Sequence, residues 1–111
     1  MRKTSDLVEE MQEVAKTAWL AAIAVGFETE TKFVFSSSSH PLDDLNTLVK
    51  KGGAPVGLLR FEKENDLVQG SYRPFEEYEN EQWIKKYLTD LLQNAGEIIA
   101  LGQNQKSIPD Y

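Results

Sequence analysis

The stretch Ser36-Ser37-Ser38-Ser39-His40-Pro41-Leu42-Asp43-Asp44-Leu45-Asn46 gathers four hydroxyls, the only histidine of the chain and two aspartates within eleven residues. These are the types a hydrolytic relay uses, in which a histidine takes a hydroxyl proton and a carboxylate orients the imidazole. Such a relay is made by convergence in space, and no G-x-S-x-G elbow accompanies the stretch. The same residues also fit the start of a helix. Ser39 or His40 stands where a cap falls, Pro41 suits the first turn, and Asp43 and Asp44 lie at the positive end of the helix dipole. An anion site at the serines and the helix N-terminus is a third reading, opposed by the charge of the two aspartates.

A second group runs from Ser71 to Trp83, where Glu76, Glu77, Glu79 and Glu81 surround Tyr78. Four carboxylates so close could gather a hard divalent cation. The segment lacks the EF-hand loop pattern and a histidine partner, so no metal and no other cofactor is expected. Its aromatics give another reading: Tyr72, Phe75, Tyr78 and Trp83, with Arg73, form an interaction patch, since Tyr, Trp and Arg are frequent interface anchors. The plainest reading is a solvated acidic turn before the last helix. The third group is Arg60 with Arg73 on one strand face, where two guanidiniums could clamp a carboxylate or phosphate, with His40 as a further ligand-binding candidate. Structurally, the same arginines would pair with nearby acids, the glutamate cluster first. No Gly-rich phosphate loop, HExxH or G-x-G-x-x-G pattern adds a signal for catalysis.

Positioning these groups requires a scaffold, and hydrophobic periodicity supplies one. Leu7, Val8, Met11, Val14, Ala15 and Ala18 recur at helical spacing, which predicts a helix from about Asp6 to Lys16 with Ser5 as its cap. In the apolar run Ala18 to Phe27, alternate residues divide into a large face (Trp19, Ala21, Ile23, Val25, Phe27) and a small one (Leu20, Ala22, Ala24, Gly26). Burial on both faces predicts a central strand, with continuation of the first helix through Val25 as the rival reading. Thr31 to Phe35 reads as the second arm of a hairpin. Leu42, Leu45, Leu48 and Val49 make one helix face, and Gly52-Gly53 supplies a left-handed stop.

Ala54 to Glu62 and Leu67 to Phe75 read as a second hairpin around Lys63 to Asp66. A symmetric loop would set Phe61 opposite Val68, Leu59 opposite Gly70 and Gly57 opposite Tyr72. Ile84, Leu88, Leu91, Ala95 and Ile98 predict a third helix between Asn80 and Gly102. The small-residue face of the first strand is expected to receive a helix.

The order α-β-β-α-β-β-α predicts an α+β domain, residues 1–102, in which an antiparallel sheet of about four strands packs with three helices, followed by a polar tail, residues 103–111. This order is similar to that of small profilin-like and roadblock-type domains, a resemblance that implies a dimeric adaptor or a ligand-binding module.

Composition limits the partners. With 111 residues, 41% hydrophobic and 27% charged, one ordinary folding domain is expected. A net charge of -6 repels phosphate backbones and anionic lipid, so neither nucleic acid nor a membrane is an expected partner. The absence of cysteine excludes disulfides, thiol catalysis and cysteine-ligated zinc, and fits a cytoplasmic location. No secretory h-region is visible, and the longest apolar run, at ten residues, falls short of the roughly 20 a membrane helix needs. The expected function is a non-catalytic protein-interaction module acting as a homodimer with an unidentified protein partner. The alternative is a small-molecule or anion-binding domain, or a hydrolytic enzyme using His40 or the carboxylates between Glu76 and Glu81.

Overall fold

A computed structural model describes residues 3–65 and 67–78, together with Gln82 and Lys86. Helix α1 (Thr4–Ala15) leads into strands β1 (Leu20–Gly26) and β2 (Thr31–Phe35). Helix α2 (Pro41–Lys50), strands β3 (Ala54–Glu64) and β4 (Leu67–Pro74), and a 3-10 turn (Glu76–Tyr78) follow. The strands form one antiparallel sheet in the order β2-β1-β3-β4. The fold is therefore α+β, with two hairpins joined by the β1–β3 pairing. Two helices lie among the described residues. Apart from Gln82 and Lys86, which are helical, the third predicted helix lies outside them, as do Glu79, Glu81, Trp83 and the tail 103–111.

The run after α1 is a strand and not a continuing helix because both of its faces are buried in the sheet. Leu20 through Val25 are all buried. Ala21, Ile23 and Val25 join Leu7, Val8 and Met11 of α1, Leu45 of α2, and Val34, Leu58 and Phe75 in one apolar cluster. Leu20, Ala22 and Ala24 join Phe35, Leu59 and Phe61 in a second. Helices α1 and α2 pack on the face of Ala21, Ile23 and Val25. On the small-residue face the alanines make room for side chains of neighbouring strands: Ala22 lies between Phe35 and Leu59, and Ala24 beside Phe33. Trp19 also departs from its assigned face and packs against the second cluster, with Lys63 Nζ 5.6 Å from its ring centroid.

Ser5 does not cap α1. The cap position is Lys3, without a side-chain hydrogen bond, and the helix begins at Thr4. The Thr4 hydroxyl donates to Asn46 Oδ1 of α2 at 2.5 Å, which ties the start of α1 to α2. At the other end of α2, Gly52 adopts a φ of 97°, and Gly53 N–H donates to Leu48 O at 3.0 Å. That is the glycine stop expected from the sequence, in Schellman form.

The β3–β4 register differs by two residues from the symmetric-loop expectation. Phe61 faces Gly70, Leu59 faces Tyr72 and Gly57 faces Pro74. Pairing continues out to Glu64 and Leu67, leaving two loop residues in place of four. Asn65 has a φ of 56°, the left-handed conformation that tight two-residue hairpins require and asparagine tolerates. A shift of two residues keeps every side chain on its predicted face. Among the described residues, no helix is long and apolar enough to cross a membrane.

Candidate ligand-binding cleft

The serine-histidine-aspartate stretch forms the approach to α2. Ser38 Oγ accepts the His40 N–H at 3.3 Å and donates to Asp44 Oδ2 at 2.5 Å, which ties the turn to the helix it precedes. His40 is exposed and stands at the cap position. It lines an open hollow of about 370 Å³ with Ser5, Glu9 and Asp43, but among the described residues no hydrogen bond joins its ring to a hydroxyl or carboxylate. The geometry of a relay is not assembled there.

Both arginines reach from the sheet to α1 and the segment that follows it. Arg60 donates through Nε to Glu62 Oε1 at 2.7 Å, through Nη1 to Thr17 Oγ1 at 3.1 Å and through Nη2 to the Thr17 carbonyl at 3.1 Å. Arg73 pairs with Glu10 of α1. These partners replace the glutamate cluster expected from the sequence. With the fork of Arg60 engaged on three acceptors, the pair pins the first helix to the sheet.

Of the patch residues, Tyr72, Arg73, Phe75 and Tyr78 are described. Arg73 turns toward α1, whereas Tyr72 packs with the second cluster on the opposite face. Phe75 is 6% exposed and belongs to the first cluster. Tyr78 touches both clusters, and Trp83 lies outside the described residues.

Phe75, Glu76, Glu77 and Tyr78 do come together at a cleft of about 320 Å³. Its other walls are Thr4 and Leu7 from the start of α1, Val49 from the last turn of α2, and Gly53-Ala54-Pro55 leading into β3. A bulge shapes it: Ala24 pairs with Gly57 but Val25 pairs with Pro55, so Val56 is extra. Pro55 suits this position because it has no N–H to lose from the ladder. The Val56 carbonyl accepts the Phe75 N–H at 3.1 Å, and Tyr78 N–H donates to Phe75 O at 2.8 Å. These bonds fold the chain after β4 over the cleft.

Leu7, Gly53 and Phe75 are its buried walls, while Glu76 and Glu77 are exposed at its rim. Its lining residues include two carboxylates and no lysine, arginine or histidine. Among the described residues, no group of three or more His, Asp or Glu could hold a metal ion. The α1, α2 and β3 contributions were not identified in the sequence as site residues. Pro55 inside an otherwise strand-like run is the one local signal that could have pointed to the bulge. Comparison with family models, with curated proteins and with solved structures gives no significant match, so a functional reading has to come from the cleft itself.

Proposed function

We propose that this protein is a small binding module that takes a compact, partly apolar molecule into the cleft between α1, the end of α2, the β3 bulge and the 3-10 turn. The observation that carries this reading is the cleft itself, about 320 Å³ with buried Leu7 and Phe75 in its walls and polar groups at its rim. Small-molecule sites have this character and begin at roughly 300 Å³. Addition of cyclohexylmethanol to the isotopically labelled protein is expected to shift amide resonances of Leu7, Val49, Gly53, Ala54 and Phe75 to Tyr78. Val49→Trp, on the exposed last turn of α2, is expected to fill the cleft and abolish those shifts while the protein stays folded. Undiminished binding by a folded Val49→Trp protein would remove the reading.

A second reading, self-association as a homodimer, is supported by the strand order. β4 is an edge strand of eight residues, and Leu67 on it is 61% exposed. Long edge strands pair readily with a second chain. Light scattering behind size exclusion is expected to give a dimer that Gly70→Pro, at a position whose N–H points away from β3, converts to a monomer. A monomer at every concentration would end this reading and leave the cleft reading intact.

A further inference from the structure

The charged side chains around the cleft are all acceptors of hydrogen bonds. Glu76 and Glu77 are carboxylates, which accept only when ionised. The Thr4 hydroxyl proton is committed to Asn46, leaving its oxygen as an acceptor. Three backbone donors of the lining are taken as well. Gly53 N–H is held by Leu48 O, Phe75 N–H by Val56 O and Tyr78 N–H by Phe75 O, while Pro55 has none. An anionic ligand would therefore meet two negative charges and no basic side chain of the lining. A primary ammonium has the opposite character, with three donors and no acceptor. The Tyr78 ring adds a π-face that attracts a cation, and the net charge of -6 draws cations toward the protein as a whole.

We infer that the occupant of the cleft is an amphipathic amine, with a compact apolar body against Leu7 and Phe75 and an ammonium group between Glu76, Glu77 and the Tyr78 ring. This inference rests on the cleft reading and specifies its ligand class. Because both carboxylates are exposed, each ion pair contributes modestly, and the charge preference is salt-sensitive.

The test compares three probes sharing one ring and differing in the head group: cyclohexylmethylamine, cyclohexylmethanol and cyclohexanecarboxylate, titrated into the full chain at low ionic strength. The amine is expected to bind about five- to tenfold more tightly than the alcohol, the sum of two exposed ion pairs and a cation–π contact, and the carboxylate more weakly than either. The Glu76→Gln/Glu77→Gln double variant is expected to lose most of the amine preference and to keep its affinity for the alcohol, which also serves as the control for folding. Equal binding of amine and alcohol, or preference for the carboxylate, would overturn the amine assignment and leave the cleft reading standing. Retention of the full amine preference by the double variant would overturn it too. No response to any of the three probes would end both.

Discussion

Gly53→Ala is expected to lower the urea midpoint sharply, with a loss of about 3 kcal/mol, at the upper end of what overpacking by a small group costs. Its neighbour Gly52→Ala is expected to lose only about 1 kcal/mol, the penalty for placing a Cβ in a left-handed backbone conformation. The two glycines are adjacent in the stop after α2 but serve different purposes. Gly52, at a φ of 97°, has nothing within 4 Å of the position a Cβ would take. Gly53 is confined by packing, since an added Cβ would lie 2.6 Å from Val25 Cγ1, 2.7 Å from Phe27 Cζ and 2.9 Å from the Leu48 carbonyl. Val25 is fully buried, and the Leu48 carbonyl is backbone that already accepts the Gly53 N–H. Relief therefore requires the end of α2 to move off the sheet. Because Gly53 also lines the cleft, the same displacement is expected to weaken probe binding. A smaller loss for Gly53→Ala than for Gly52→Ala would mean that α2 can rise from the sheet freely, contrary to the packing described.

Much of the scaffold was legible in the sequence because it depends on local rules. Alternation through Leu20 to Val25 marked a strand buried on both sides, and Gly52-Gly53 marked the end of α2. The parts that were not legible depend on neighbours remote in sequence. Nothing in the first strand itself says that Phe33 and Phe35 will stand beside its alanines. The hairpin register hinged on whether Asn65 would adopt a left-handed conformation, a choice that a symmetric loop does not capture. Arg60 and Arg73 were legible as a pair on one face, but their partners Thr17 and Glu10 come from the far end of the chain. The candidate cleft shows the same division. Phe75, Glu76, Glu77 and Tyr78 stand together in the sequence and were marked there as aromatic or acidic groups, whereas Thr4, Leu7, Val49 and Gly53 to Pro55 reach them only through the fold. Local chemistry identified one wall of the cleft, and topology supplied the others.

Phe61→Ala is expected to lose about 3–5 kcal/mol, the usual range for removing a buried aromatic ring. That is a large part of the roughly 5–15 kcal/mol by which a domain is stable at all, so the variant should be partly unfolded at moderate temperature. Phe61 is fully buried, between Leu20 on β1 and Gly70 on β4. Within the sheet, the space left by the ring has few ways to close. Gly70 has no side chain to move into it, and the Phe61 backbone is held by β1, β4 and the Trp19 N–H, which donates to its carbonyl at 2.9 Å. Urea denaturation followed by circular dichroism measures the loss, and a value below about 1.5 kcal/mol would mean that the second face collapses easily and is not tightly packed. The variant also tests how the two faces of the sheet communicate. Phe75 and Leu7 belong to the first cluster and Phe61 to the second, with Tyr78 packed against both. If the cleft depends on the first cluster, the folded fraction of Phe61→Ala should bind cyclohexylmethylamine within about twofold of the parent protein, as expected for sites that share few partners. A much larger change in that folded fraction would mean that Tyr78 carries strain from one face to the other, and that the cleft is held in shape by both cores at once.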